Sequence, residues 1–451
     1  MPSTSETTGQ GAVAGLMGQA RAVLARHGGP IAALAVRVTA AGLAYILQIT
    51  IARFLGTDEY GVFAYTWAWV QIAGFGATFG FGQIAVRFLA EYSERNQPDL
   101  ALGFIRTSLG VVGGGSIALA LAGILWLDAN PDAFGKEYHV PLILMCATVP
   151  MFAIGDLAEG YARSHGWSLL ALAPPYILRQ VLMVVAVPAI WLMGLQPTAT
   201  LAMGAALAAT ALTSLMQLNI TLGRLMRPAM GLRSAAYALR QWFNAAWPVF
   251  LGDVAQVLRQ NADLIILAMT VEPAQIALYY AATRVASMLG LIEFAVGAAA
   301  AHRFARIDGQ TSPDELTALV RQSCHLTFWP TLLAALAISA LAGPVLSLFG
   351  DAYVAAQPVV WLLAAGYAFR ALIGPAEELL IMRGHGRSAM LAQFIGLEMT
   401  VILSWQYIPQ FGIMGAAIGM FGALVATTAT LAFCCKKLTG ALPLPLPTRI
   451  P

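Results

Sequence analysis

Five polar residues interrupt an apolar stretch in the second half of the chain: Asp253, Gln256, Arg259, Gln260 and Asp263. At 3.6 residues per turn their spacing puts them within about 120° of one helix face. A stripe of this kind faces water or a ligand, because hydrocarbon cannot solvate it. Further arginines (Arg37, Arg179, Arg284, Arg370) and acids (Glu293, Glu398) also fall inside apolar stretches. Each charge at a bilayer centre costs about 2.5–3.5 kcal/mol on insertion scales, so such groups are directed to a bundle interior or a wet cavity. Arginine stays protonated when partly desolvated and grips phosphate oxygens with a planar fork. Asp253, Asp263 and Glu293 have the chemistry to exchange a proton or bind a cation. Arg37, Tyr45 and Gln48 share a second polar face near the N-terminus. Arg53 is placed to snorkel from a helix end, and Asp156, Glu159, Glu377 and Glu378 are expected at membrane interfaces.

The elements that must position these groups are membrane helices. Apolar residues make up 59% of the 451-residue chain and charged residues 10%, against about 25% charged in soluble domains; mean hydropathy is +0.72. The spacing of apolar runs predicts twelve spans, at 29–54, 62–86, 104–127, 139–161, 169–194, 199–223, 244–269, 275–301, 320–347, 356–381, 388–408 and 413–434. The loops alternate in charge: one set, with both termini, holds 18 of the lysines and arginines, and the opposite set holds Lys136 alone. The positive-inside rule then places both termini in the cytoplasm. No cleavable signal segment is expected in residues 1–28.

The spans fall into two homologous halves. FGKEY (Phe134–Tyr138) opens a span that closes ARSHGWS (Ala162–Ser168), and FGDAY (Phe349–Tyr353) opens one that closes MRGHGRS (Met382–Ser388). Arg163, His165, Gly166 and Ser168 recur 220 residues later as Arg383, His385, Gly386 and Ser388; Arg87-Phe88 recurs 216 later as Arg303-Phe304. At the 216 offset Arg37 is the counterpart of Asp253. The reading is a tail (1–28), a six-helix lobe (29–226), a basic linker (227–243), a second six-helix lobe (244–434) and a tail (435–451). Met230, Leu232, Tyr237, Leu239 and Trp242 suggest that the linker is a surface helix. Pro174-Pro175 and Gly374-Pro375 predict helix breaks. No cysteine falls in the loops opposite the termini, so no disulfide framework is implied, and no metal-ligand spacing occurs.

With these residues in view the chain resembles a known family. IARFLGTDEYGVFAYTWA (Ile51–Ala68), GFGQIAVRFLAEY (Gly80–Tyr92), the FGKEY and FGDAY openings, ARSHG and MRGHG are similar to the polysaccharide-transporter branch of the MOP flippase superfamily, which includes O-antigen (Wzx-type) flippases. The resemblance implies an all-α polytopic fold of about twelve transmembrane helices in two lobes around a central cavity, in a bacterial inner membrane. It implies alternating-access transfer of an undecaprenyl-pyrophosphate-linked oligosaccharide to the outer leaflet, in company with polysaccharide polymerase or export machinery and without nucleic acid. Arg37, Arg259, Arg284, Arg370, Gln48 and Gln256 are the candidate substrate contacts. Asp253, Asp263 and Glu293 are the candidate ion-coupling acids; no cofactor is implied, and H+ or Na+ coupling stays open. The alternative is a cation-coupled multidrug or metabolite antiporter on the same fold. A membrane glycosyltransferase or polymerase is disfavoured, because the outer loops are short and carry no DxD or HExxH motif.

Overall fold

A computed structural model describes residues 7–226, 234–306 and 313–445, with side chains from Thr39 onward except those of residues 226, 302, 305 and 313. Among them the regular structure is helical, as a bilayer demands of any apolar backbone that must satisfy its own N–H and C=O groups. Helix α1 (Thr7–Gly76) holds two crossings, because Gly56, at φ 78° and ψ 178°, breaks it where a side chain would be strained. Helix α2 (Phe81–Glu94) completes the second crossing. Next come α3 (Pro98–Ala129), α4 (Lys136–Ser164), α5 (Ser168–Ala173) with α6 (Arg179–Leu192), and α7 (Ala199–Met226). The second lobe starts with α8 (Leu239–Ala268), then α9 (Pro273–Ser287) with α10 (Gly290–Arg306), and α11 (Pro313–Ala340) with α12 (Ala342–Ser347). It ends with α13 (Gln357–Ala371) and α14 (Ala376–Met382), α15 (Gly386–Phe411) and α16 (Ile413–Thr439).

Among the described residues, ten stretches are long and apolar enough to span a membrane. One of them, Thr39–Glu94, carries both crossings on either side of Gly56. Helix α8 is not among the ten, because Asp253, Arg259 and Asp263 lower its hydropathy; counting it gives the twelve expected crossings.

The proline signals resolve differently in the two lobes. Pro174–Leu178 forms one turn of π-helix between α5 and α6, which absorbs the missing N–H groups without ending the crossing. Gly374, at φ 51°, ends α13, and Pro375 starts α14. A further break at Met288–Leu289 separates α9 from α10 and has no proline to announce it. The repeat is visible in the turns: Arg163 ends α4 and Arg383 comes directly after α14. The left-handed glycines are Gly166 and Gly384, two residues out of step with the 220 offset.

The surface helix expected over 227–243 is corrected in the part of that segment that is described. Residues 234–238 are non-helical, and the Ala236 N–H donates to the Asp99 carbonyl (3.0 Å). Leu239–Phe243 form the first turn of α8, where Trp242 is buried against Phe104 and donates to the Tyr92 hydroxyl (2.8 Å). An indole can be buried there because its N–H has a partner. Met230 and Leu232 lie outside the described residues.

The lobes are joined unequally at their two ends. At the end carrying Gly56, Lys136 and Phe349, one continuous core unites them, with Tyr60 against Tyr280 and Tyr353, and Tyr45 against Phe349. Gly61 there meets the Pro273 carbonyl so closely that a Cβ would collide with it. At the arginine-rich end each lobe keeps its own core, and the start of α8 is the main bridge.

Candidate functional site

Three compartments lie between the sealed end and the open one, and Gln71 of α1 lines all of them. The largest, about 500 Å³, belongs to the second lobe: α8, α9, α10, α13, α14, α15 and α16 contribute to it. A small one of about 160 Å³ sits between the lobes, and one of about 290 Å³ lies in the first lobe.

The second-lobe compartment gathers Arg259, Arg284 and Arg370 with Asp263, Glu293, Glu377 and Glu378. These charges do not pair uniformly. Arg370, 7% exposed, binds Glu293 at 2.7 Å and Glu377 at 3.7 Å. It thereby ties α13 to α10 and α14 across both helix breaks. Asp263, 3% exposed, accepts from the Tyr279 hydroxyl (2.5 Å) and from the Leu264 N–H (2.8 Å). Glu377 also accepts from the Gln393 amide (2.7 Å). Arg284 donates to the Tyr280 hydroxyl (2.8 Å), with its guanidinium 4.3 Å from the ring centroid, and its Nε has no protein partner. Arg259 has no hydrogen-bond or ion-pair partner among the described residues, and its Nε is buried. Two guanidinium groups that make no salt bridge among the described residues therefore face one cavity, with Glu377 and Glu293 in electrostatic range of Arg259 and Asp263 in range of Arg284. Desolvated cations of this kind are satisfied by an anion.

Of the residues singled out in the sequence, the structure brings Arg259, Arg284, Arg370, Asp263 and Glu293 into this compartment. Gln48 lines the small compartment and accepts from the Tyr60 hydroxyl (2.8 Å). The Arg37 side chain lies outside the described set, so its expected partnership with Asp253 does too. The α8 stripe is divided: Arg259, Gln260 and Asp263 face the large compartment, whereas Asp253 and Gln256 lie outside all three. They sit one to two turns nearer the arginine-rich end, where the lobes part and Gln256 is exposed. Asp156, Glu159, Glu377 and Glu378, read as interfacial, line compartments, because the open space reaches the last two turns of α4 and the first turn of α14.

Arg179 is the residue whose role sequence reasoning undervalued. It directly follows the π turn, lines the two smaller compartments, and stacks over Trp67 and Phe152 at 5.5 and 5.7 Å from their centroids. The signal available was its position four residues after Pro175.

The sequence matches the profile of a family described as polysaccharide biosynthesis proteins over residues 29–307. The chain belongs to that family. A second profile, MatE, matches residues 248–405. No curated protein matches the sequence significantly. Among solved structures, the fold is similar to an inward-facing multidrug resistance MATE family transporter of the MOP superfamily, with TM-score 0.72 and 14% identity over 90% of this chain and 95% of that one. It is also similar to the lipid II flippase MurJ in an inward closed conformation, with TM-score 0.70 and 13% identity over 90% and 87%. A third likeness is a MOP superfamily transporter from Pyrococcus furiosus described as having a binding pocket of reversed polarity, with TM-score 0.57 and 14% identity over 91% and 93%. The chain is thus a multi-pass membrane protein of the polysaccharide biosynthesis family with the fold of these structures, which are themselves described as transporters and a flippase.

Proposed function

We propose that this transporter moves an undecaprenyl-pyrophosphate-linked oligosaccharide, a repeat unit of O-antigen, capsule or exopolysaccharide, from the cytoplasmic to the periplasmic leaflet of a bacterial inner membrane. The observation that carries the reading is the pair Arg259 and Arg284, which line one cavity, make no salt bridge among the described residues, and each keep a buried Nε without a hydrogen bond. A pyrophosphate presents fixed negative charge that hydrocarbon cannot solvate, and two planar cations in an enclosed space replace its water. Arg370, held by Glu293 and Glu377, is a third cation that the substrate reaches by displacing a carboxylate. Gln48 extends the path toward the first lobe and Gln256 stands toward its entrance; Arg37 is kept as a substrate contact from its place in the sequence alone.

In this reading the lobes are 29–226 and 244–434, joined by 227–243, and both termini are cytoplasmic. The sealed end is then periplasmic, and the described state opens to the cytoplasm, ready to receive substrate. Translocated repeat units pass to polysaccharide polymerase or export machinery. Protonation or Na+ binding at Asp263, Glu293 or Asp253 supplies the coupling. Single cysteines near Lys136 and Asp351, with native cysteines removed, are expected to react with an impermeant reagent from outside, and those near Arg95 and Arg383 to be protected.

The test is export of the lipid-linked glycan at matched protein levels. Arg259→Gln and Arg284→Gln are expected to abolish export while the lysine variants retain part of it. Full export in both glutamine variants removes the reading. A second reading, a cation-coupled multidrug antiporter, is favoured by one feature: four carboxylates line the same cavity as the arginines. It predicts that an organic cation competes with coupling and that the glutamine variants keep their activity.

A further inference from the structure

The compartment in the first lobe has a different chemistry from the arginine-lined one. Its walls are aromatic (Trp67, Phe75, Phe152 and Tyr176), and its polar groups are carboxylates, amides and hydroxyls. Its one cation, Arg179, lies over the Trp67 and Phe152 rings. Asp156 and Glu159 stand within electrostatic range of each other, and Glu159 is paired with Arg163 at 3.8 Å. The same carboxylates accept hydrogen bonds from hydroxyl groups, and flat aromatic faces pack against the C–H faces of a pyranose ring. In the small compartment between the lobes, by contrast, the Gln180 Oε1 and the Thr210 Oγ1 are buried without a hydrogen bond. Arg284 lines both that compartment and the large one. A phosphate held by Arg284 therefore places the sugar attached to it at the entrance to the first-lobe side.

We propose that the first-lobe compartment is a glycan subsite that takes neutral pyranose rings next to the pyrophosphate, by aromatic stacking on Phe152 and hydrogen bonding to Asp156 and Glu159. The proposal rests on the pyrophosphate reading of Arg259 and Arg284, and it adds a division of labour: the second lobe holds charge and the first lobe reads sugar. At about 290 Å³ the compartment is near the lower end of the range for small-molecule sites, enough for a short segment and not for a whole repeat unit. It therefore selects for the sugars nearest the lipid and leaves the distal ones unread.

The experiment measures binding of two probes to the purified full-length protein in nanodiscs: geranylgeranyl pyrophosphate, and the same lipid pyrophosphate bearing N-acetylglucosamine. The variants are Asp156→Asn, nearly isosteric, and Phe152→Leu, with Arg284→Gln as the comparison. The expected result is that both first-lobe variants weaken the glycosylated probe by about tenfold or more and bind the bare pyrophosphate as the wild type does, which also shows that they are folded. Arg284→Gln weakens both probes. Equal weakening of both probes by the first-lobe variants, or no weakening of either, overturns the glycan subsite and leaves the pyrophosphate reading standing. Failure of the wild type to bind either probe overturns the pyrophosphate reading, and the subsite with it.

Discussion

The two larger compartments are built on one repeat, yet almost every charge in one is an apolar residue in the other. At the 216 offset, Arg259, Asp263, Arg284 and Glu293 correspond to Leu43, Leu47, Ala68 and Ala77; at 220, Arg370 corresponds to Pro150. The relation is reciprocal, since Asp156 and Arg179 correspond at 220 to Ala376 and Met399. Duplication kept the crossings and the basic turns, which the bilayer constrains. It released the cavity side chains, which answer to the ligand. A substrate with a charged head and a neutral polar extension gives each lobe a separate task, and that accounts for the divergence better than a small compact ligand does.

The largest expected difference between the lobes concerns the ion pairs. Arg370 and Glu293 are in contact at 2.7 Å with little exposure, and removing one partner of a buried pair costs about 3–5 kcal/mol because the other charge is stranded. Arg370→Met is therefore expected to lower the thermal unfolding midpoint of the purified protein sharply, and adding Glu293→Gln to recover most of the loss. Arg179 makes no described ion pair and stacks on two rings, so Arg179→Met is expected to cost only about 0.5–2 kcal/mol. Equal losses at Arg370 and Arg179 would mean that the lobes hold their cations alike.

The crossings were legible because a bilayer writes them as apolar runs, and the halves because ARSHG and MRGHG sit in turns that both lobes need. The charged residues of the site were legible for the same reason, as interruptions of those runs. Their partners were not. Glu293 reaches Arg370 and not its sequence neighbour Arg284, and Asp263 reaches Tyr279 and not Arg259. The break at Met288–Leu289 lies between Arg284 and Glu293 and redirects the chain without a proline to mark it. That Asp156 and Glu159 line a compartment was not legible, because distance from a helix end measures depth and says nothing of which face opens onto a cavity.

Next in size are two glycine positions where the lobes pack differently. A Cβ on Gly160 would run into the Gly82 backbone carbonyl, whereas its counterpart at 220 is the buried Leu380. Helices α2 and α4 therefore approach more closely than α10 and α14 do. Gly160→Ala is expected to destabilise by about 1–3 kcal/mol through overpacking, and Leu380→Ala to destabilise instead by leaving a cavity. Gly56, at φ 78° and ψ 178°, occupies backbone space open essentially to glycine alone, while its counterpart Glu272 is ordinarily extended at φ −69°. Gly56→Ala is expected to cost about 1–3 kcal/mol and Glu272→Ala less than about 0.5 kcal/mol, both read from thermal unfolding.

The smallest effect is expected at the sealed end, where the lobes meet through Arg53. Its side chain donates to the carbonyls of Ser347 (3.0 Å) and Leu348 (2.5 Å), at the C-terminus of α12. Those carbonyls have no partner within the helix, and a cation there also meets the negative end of the helix dipole. The contact spans the two lobes, and in the proposed alternating-access cycle the outward-open state breaks it, so there it stabilises one conformation over the other. Because Arg53 is exposed, water competes for the same groups, and the contribution is about 0.5–1.5 kcal/mol. Arg53→Ala is thus expected to leave the unfolding midpoint almost unchanged while raising the outward-open population several-fold. A single cysteine at Ala44, which lines the small compartment, reports on this in a background without native cysteines. Its reaction with an impermeant reagent added at the sealed end is expected to quicken in the Arg53→Ala variant and to return to the original rate with Arg53→Lys. An unchanged rate would assign the seal to the tyrosine cluster around Tyr60 alone.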